Sequence, residues 1–309
     1  MCWFTTVNVR GVVMYRLKTE ESRVGPKHGR GYRKYLLGFP ISLWLLLVIM
    51  IPMLIMFVTS FYTKQGSEIV PRLNIGNYLE FFIKPIYIPI FIRTIILAFL
   101  VSITSIILGY PLAYLVSRKL KRFRNQLYML ILVPLWVSYL VRIVAWRAIL
   151  GRGGAINNIL LSLKIIKEPL SIFIYNPFAV YIALIHISLP FVFIPIFAAL
   201  EKIPKNLINA SYDLGANGFY TFRDVILPLS MPGVVTGFTM AFVTALGDYI
   251  IPQQLGGPNG IMFGNIIVTQ FGFAYNWPLG SAFGFILFTV AVIILMLSNK
   301  YGSSEGYIE

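Results

Sequence analysis

Six long apolar stretches set the terms for this chain. They run from Leu36 to Ser60, about Pro89 to Val116, about Leu127 to Leu150, about Ala179 to Leu200, near Met231 to near Leu246, and about Leu279 to Leu297. Each is long enough to cross roughly 30 Å of hydrocarbon. Each contains glycine or proline or lies beside one, which membrane helices tolerate. The composition agrees: 58% of residues are apolar and only 12% charged, about half the charge of a soluble domain. A soluble fold would have to bury all these stretches with too little polar sequence to cover them. The expectation is an all-α, polytopic membrane protein with six transmembrane helices.

A formal net charge of +15 raises nucleic acid as a partner, but the basic residues are distributed otherwise. Eight lie before Leu36: Arg10, Arg16, Lys18, Arg23, Lys27, Arg30, Arg33 and Lys34. Five more sit in "SRKLKRFR", residues 117–124. Both clusters flank apolar runs, as retained cytoplasmic segments do, and suit anionic membrane lipid; no nucleic-acid partner is expected. Cys2 is the only cysteine, which leaves no disulfide framework and no cysteine-based metal site. The first apolar run has no small-residue cleavage pattern, so a retained first helix is expected rather than a removed signal peptide.

With the N-terminus inside, the head, 117–126, 201–230 and the tail counted from Lys300 hold 8, 5, 3 and 1 basic residues, and the outer segment 249–278 holds none. Arg142, Arg147, Arg152, Lys164 and Lys167 crowd the second outer region. The short inside loops still favour both termini in the cytoplasm. The expected organisation is a basic head at 1–35, a transmembrane domain at 36–300 with a cytoplasmic loop at 201–230, and a short tail at 301–309. Outside, "INNILLSLKI" suggests a short helix or re-entrant piece.

The loop between the fourth and fifth runs carries "NASYDLGANGFYTFRDVILPLSMPG", residues 209–233. Asn206 is a candidate helix N-cap. Leu207, Ala210, Ser211 and Leu214 share a face at helical spacing. Gly215 can end that helix, and Asn217-Gly218 can turn the chain. Phe219, Phe222 and Ile226 form a second apolar face, and Pro228 and Pro232 mark the return to the membrane. Two short helices with a sharp bend are expected. Small residues at 210, 211, 215 and 216 permit close approach by a partner, whose groove Phe219 and Phe222 could fill. The alternative is an interfacial amphipathic helix that only ties two spans together.

This stretch resembles the cytoplasmic coupling motif of permease subunits in ABC importers. The likeness places the motif's first Ala at Ala210, its Leu-Gly-Ala at Leu214, Gly215 and Ala216, and its closing Leu-Pro at Leu227 and Pro228. Asn209 stands where the motif has Glu, and Ser211 where it has its second Ala. Asp213, Phe219 and Phe222 belong to the same element. Further stretches, "GYPLAYLVSRK", "LVPLWVSYLVRIVAWRAILGRGGAINNIL", "LGDYIIPQQLGGPNGIMFGNII" and "NWPLGSA", are similar to spermidine/putrescine importer permeases, the first permease of the pair, over about residues 36–300. The resemblance implies the type I importer permease fold. It also implies a second permease subunit, two ATPase subunits that dock the coupling loop, and an external solute-binding protein. ATP and Mg would sit on the ATPase subunits, with no cofactor in this chain. The location implied is a prokaryotic cytoplasmic membrane, the mechanism alternating access, and the solute a polyamine. Thiamine, an opine or an amino-phosphonate are alternative solutes.

Asp248, at the outer end of the fifth run, is the most informative ionisable residue. A carboxylate at that depth needs a cavity or a partner. Polyamines suit carboxylates and aromatic faces, so Asp248 and Tyr249 are candidate path residues. The alternatives are an ion pair with Arg142 or Arg147, or solvation at a loop end. Tyr139 and Trp146 share a helical face with Arg142, and Trp136 could extend it; these aromatics line a path or form an interfacial belt. His186 reads as a histidine satisfying a neighbouring carbonyl. No "GxxxxGK[ST]" pattern occurs, so no ATP hydrolysis is expected of this chain. An ion-driven carrier would usually hold more buried acids than this one. A membrane enzyme would need a His/Asp/Glu cluster, and His28 and His186 are the only histidines.

Overall fold

The computed structural model describes residues 30–66, 68–120 and 122–302. These fall into two units, one ending at Ile55 and the other starting at Met56. Most of the basic head, Lys121 and the tail beyond residue 302 lie outside the described residues. The first helix, α1, spans Arg30–Thr59, so it starts within the basic segment rather than at Leu36.

From Met56 onward the architecture is helical apart from one small hairpin. Strands β1 (Thr63–Gln65) and β2 (Glu68–Val70) pair antiparallel with Thr63 opposite Val70. Then come α2 (Gly76–Ile83) and α3 (Tyr87–Lys119). The third apolar run is not one straight span. It forms α4 (Arg124–Trp136) and α5 (Tyr139–Leu150), and α6 (Ala155–Ser162) follows. Pro134 sits in the last turn of α4, and Val137 and Ser138 are extended. The chain bends by 95° across this break. α6 is the short helix expected from "INNILLSLKI".

Helix α7 (Pro177–Lys202) opens on Asn176, whose side chain accepts from the Ala179 N–H, with Pro177 in the first turn; this is a regular N-terminal signal. After α8 (Lys205–Asp213), a single helix α9 runs Gly218–Gly247. The return to the membrane expected at Pro228 is therefore no turn. A wide π turn at Phe222–Ile226 directly precedes Pro228, whose ring excludes an ordinary i→i−4 bond, and the helix continues through it. Helices α10 (Phe263–Phe271) and α11 (Trp277–Gly302) complete the fold. Among the described residues α1, α3, α7, α9 and α11 are long and apolar enough to cross a membrane; the bent segment 124–162 would make a sixth crossing.

The centre is a bundle in which α3, α7 and α9 all pack on one another, with α11 against α9 and α10 against α11. One buried cluster joins Phe81, Val101, Leu184, Phe242, Phe263 and Phe283. A second joins Tyr110, Val116, Phe193, Ile196, Leu200 and Ile226 at the other end of the same helices. Lipid tails are as apolar as these side chains, so close backbone packing must hold the helices together. Gly233 and Gly237 provide it. A Cβ at 233 would lie 2.6 Å from the Ala199 Cβ and from the Pro195 carbonyl oxygen, and one at 237 would lie 3.2 Å from the Val192 backbone.

Gly233→Ala should therefore force α7 and α9 apart and lower stability by about 1–3 kcal/mol. Thermal unfolding in lipid nanodiscs would read this as a lower midpoint, with Gly153→Ala, where nothing stands within 4 Å of the added atom, as the control.

Candidate functional site

Two constellations stand out. The first is the hairpin between α7 and α9. Helix α7 ends at Lys202, and Ile203 and Pro204 are extended (ψ 119° and 139°). Pro204, not Asn206, precedes the first turn of α8, and no side chain caps it. Asn206 lies inside the helix, where its Oδ1 accepts only from the adjacent Leu207 N–H at 3.1 Å. The end of α8 matches expectation. Gly215 takes φ +86°, and the Ala216 N–H reaches the Ser211 carbonyl at 3.1 Å, a bond pattern that favours glycine at the left-handed position. Asn217 then caps α9, its Oδ1 accepting from Phe219 and Tyr220 N–H groups at 3.0 Å each.

The side chains divide cleanly. Leu214 is 89% exposed and Phe219 65%. Leu207, Tyr212 and Tyr220 are also exposed, as are Asn209, Ala210, Asp213, Gly215 and Pro228. Ala216 and Leu227 are half-buried. Ser211 points inward, where its hydroxyl lies 2.9 Å from that of Thr221. Phe222 also turns inward. It packs edge-on against Tyr110 and Tyr114 of α3, centroids 5.8 Å away in each case, so it fills a groove of its own chain and not a partner's. Its N–H still bonds to the Gly218 carbonyl as in an ordinary helix, and the three-residue step from Phe219 sets it about 60° around the helix from the exposed face. Tyr110 is fixed in turn by Ser230 at 2.9 Å.

Sequence reasoning missed one participant. Arg118, read there as one of a cluster of topology-setting charges, donates to the carbonyls of Leu200 and Ile203, the latter at 2.9 Å. It satisfies the open C-terminal end of α7. Its place in "SRKLKRFR" carries no signal that separates it from its neighbours.

The second constellation joins two helix breaks. Asp248 follows the end of α9 in extended conformation (ψ 131°) and is 8% exposed. Its Oδ1 accepts from the Ile251 N–H at 3.0 Å, and its Oδ2 accepts from the hydroxyl of Tyr139, the first residue after the break between α4 and α5. The alternative ion pair to Arg142 or Arg147 is not made. Arg142 lies over the Tyr139 ring at 5.6 Å. Arg147 donates to Gln254 at 3.1 Å. Trp146 donates through Nε1 to Nδ1 of His186 at 3.2 Å, so the partner of His186 is this indole rather than a carbonyl. Tyr249 is partly exposed, and its carbonyl accepts from Asn265 at 2.7 Å. Trp136, 77% exposed, stands before the 95° bend and does not continue the Tyr139–Trp146 face. Among the described residues no three His, Cys, Asp or Glu side chains are grouped to hold a metal.

The family model for the binding-protein-dependent transport system inner membrane component matches residues 105–301. The chain belongs to that family. The permease is 33% identical over 261 residues to the spermidine/putrescine transport system permease protein PotB of Haemophilus influenzae, covering 83% of this chain and 91% of the relative. It is 32% identical over 297 residues to the inner membrane ABC transporter permease protein YdcU of Escherichia coli K12, covering 90% and 93%. In fold it is similar to a chain of a bacterial ABC transporter involved in import of the acidic polysaccharide alginate, with a TM-score of 0.70 at 18% identity over 94% of this chain and 99% of that one. It is a polytopic inner-membrane protein with the architecture of ABC-importer permeases.

Replacing Tyr139 with Phe removes the donor to a buried carboxylate. The expected loss is about 1.5–3 kcal/mol, seen as a lower unfolding midpoint in nanodiscs, while Tyr249→Phe leaves the midpoint within error.

Proposed function

We propose that this permease is one of two in an ATP-driven polyamine importer and passes spermidine or putrescine from an external binding protein to the cytoplasm by alternating access. The observation that carries the reading is its extensive identity to PotB permeases. The exposed apolar corner at Leu214 and Phe219 supports the mechanism, since such a corner suits a groove on a partner. In this reading both termini face the cytoplasm, residues 1–35 form a basic head, 36–300 the transport domain and 301–309 a tail. Two ATPase subunits carry ATP and Mg and hold loop 201–230 through Asn209, Ala210, Asp213, Leu214, Gly215, Ala216 and Phe219. Ser211, Phe222, Leu227 and Pro228 shape that loop from within or from its base.

Asp248 and Tyr139 form the centre of the proposed path, with Tyr249 and Trp146 beside them. The carboxylate already accepts two hydrogen bonds and faces no cationic partner, which leaves its charge available to an ammonium group. Trp136 is the outlying member of the set.

The test is reconstitution with the second permease, the ATPase subunits and the binding protein in proteoliposomes. Retained solute and ATP hydrolysis are measured over spermidine, putrescine, thiamine and phosphonates. Uptake and ATPase stimulation with polyamines alone are expected, and Asp248→Asn should reduce polyamine uptake at least tenfold, about the weight of one desolvated charge contact. Stimulation only by another solute sinks the polyamine assignment; uptake without an ATPase subunit sinks the coupling.

A further inference from the structure

The hairpin between α7 and α9 is attached to the two spans in different ways. On the α9 side there is no joint: residues 218–247 are one helix. On the α7 side the helix stops, and two extended residues, Ile203 and Pro204, intervene before α8. The last carbonyls of α7 are held by Arg118, from the end of α3. The end of α7 is thus tied to α3, and neither of these ties extends to α8.

α8 is held at two places. Ile208 packs, half-buried, against the second buried cluster, and Ser211 is the one fully buried residue of the nine, while Leu207 and Tyr212 are exposed. Ser211 Oγ meets Thr221 Oγ1 at 2.9 Å, across the turn from residue 211 to residue 221. Thr221 is fully buried on α9. Two hydroxyls shut away from water are each other's side-chain partner, and leaving either alone is unfavourable. The turn between them is closed by the left-handed Gly215 and the Asn217 cap. Position 211 is also where the chain departs from the coupling motif it resembles, which has alanine there and no hydroxyl.

We infer that Ser211 and Thr221 form a latch that makes the hairpin and α9 move as one lever, pivoting at Ile203–Pro204. This rests on the proposed docking of the hairpin on an ATPase. A push at Leu214 or Phe219 then enters the membrane through α9 and reaches α7 through the close contact at Gly233 and Gly237, not through the Ile203–Pro204 joint. Ser211 and Thr221 are positioning residues: they touch neither solute nor nucleotide, and their bond decides which span the hairpin follows. Without it α8 keeps only the packing of Ile208, and part of the ATPase stroke is spent in the loop.

The experiment uses the full reconstituted importer and reads retained solute per ATP hydrolysed, with the unfolding midpoint measured in parallel. Ser211→Ala and Thr221→Val should each lower solute per ATP by about two- to tenfold, the range of one buried hydrogen bond, and lower the midpoint. The double variant leaves no unpaired hydroxyl, so its midpoint should recover while solute per ATP stays low. Recovery of both together, or an unchanged ratio in all three variants, means the hydroxyls serve only packing and overturns the latch.

A covalent version covers variants that fail to fold. In a Cys2→Ser background, Ser211→Cys/Thr221→Cys should keep the wild-type ratio when oxidised to an intramolecular disulfide. On reduction it should fall to the single-variant level. Equal ratios in the two redox states overturn the proposal. A wild-type chain that accumulates solute with no ATPase subunit overturns the docking reading as well, and is recognised before any variant is made.

Discussion

A peptide group that leaves its helix inside hydrocarbon must find another partner within the protein, and at several interruptions of the spans here a side chain supplies one. Thr94 of α3 accepts from the Phe263 N–H at the start of α10. Arg93, one residue earlier, donates to the Ile261 carbonyl. Asp248 accepts from the Ile251 N–H after α9 stops. Arg118 closes the end of α7. These polar side chains repair breaks. The breaks in turn create the two constellations on which transport depends in our reading.

The same rule tempers how a charged residue in a membrane run should be read. Asp248 invites a substrate role on depth alone, but half of its hydrogen-bonding capacity in this structure goes to holding two broken helices together. Arg142 and Arg147 invite an ion pair with it, and instead meet a tyrosine ring, a glutamine and a second tyrosine. A path residue in such a protein is also a structural residue, and the two roles separate only by comparing stability with transport.

Much of the plan was legible in the sequence because hydropathy reports length and sign, and both are local. The positions of α3, α7 and α11 followed from runs of apolar residues, and Gly215 and Asn217 announced the turn after α8 through backbone chemistry. What escaped were features set by contact. The break at Val137–Ser138 lies in an apolar run that is continuous by hydropathy, and only Pro134 hints at it. Pro228 marks the return to the membrane after a second short helix in the sequence, yet the helix begun at Gly218 runs through it into the span. Phe219 and Phe222 look equivalent at helical spacing, but packing leaves one exposed and sets the other against Tyr110 and Tyr114. The close approach of α7 and α9 went unread, although Gly233 and Gly237 stand four apart, the pattern that lets membrane helices touch.

Helix α3 carries Arg93 and Thr94 near one end and Arg118 near the other, about 37 Å apart at 1.5 Å per residue. The first pair fixes where α10 begins, and the last fixes where α7 ends. Both mouths of the bundle are therefore referenced to one rod. A tilt of that rod shifts the anchors at its two ends at the same moment and in opposite directions, as the two arms of a balance do.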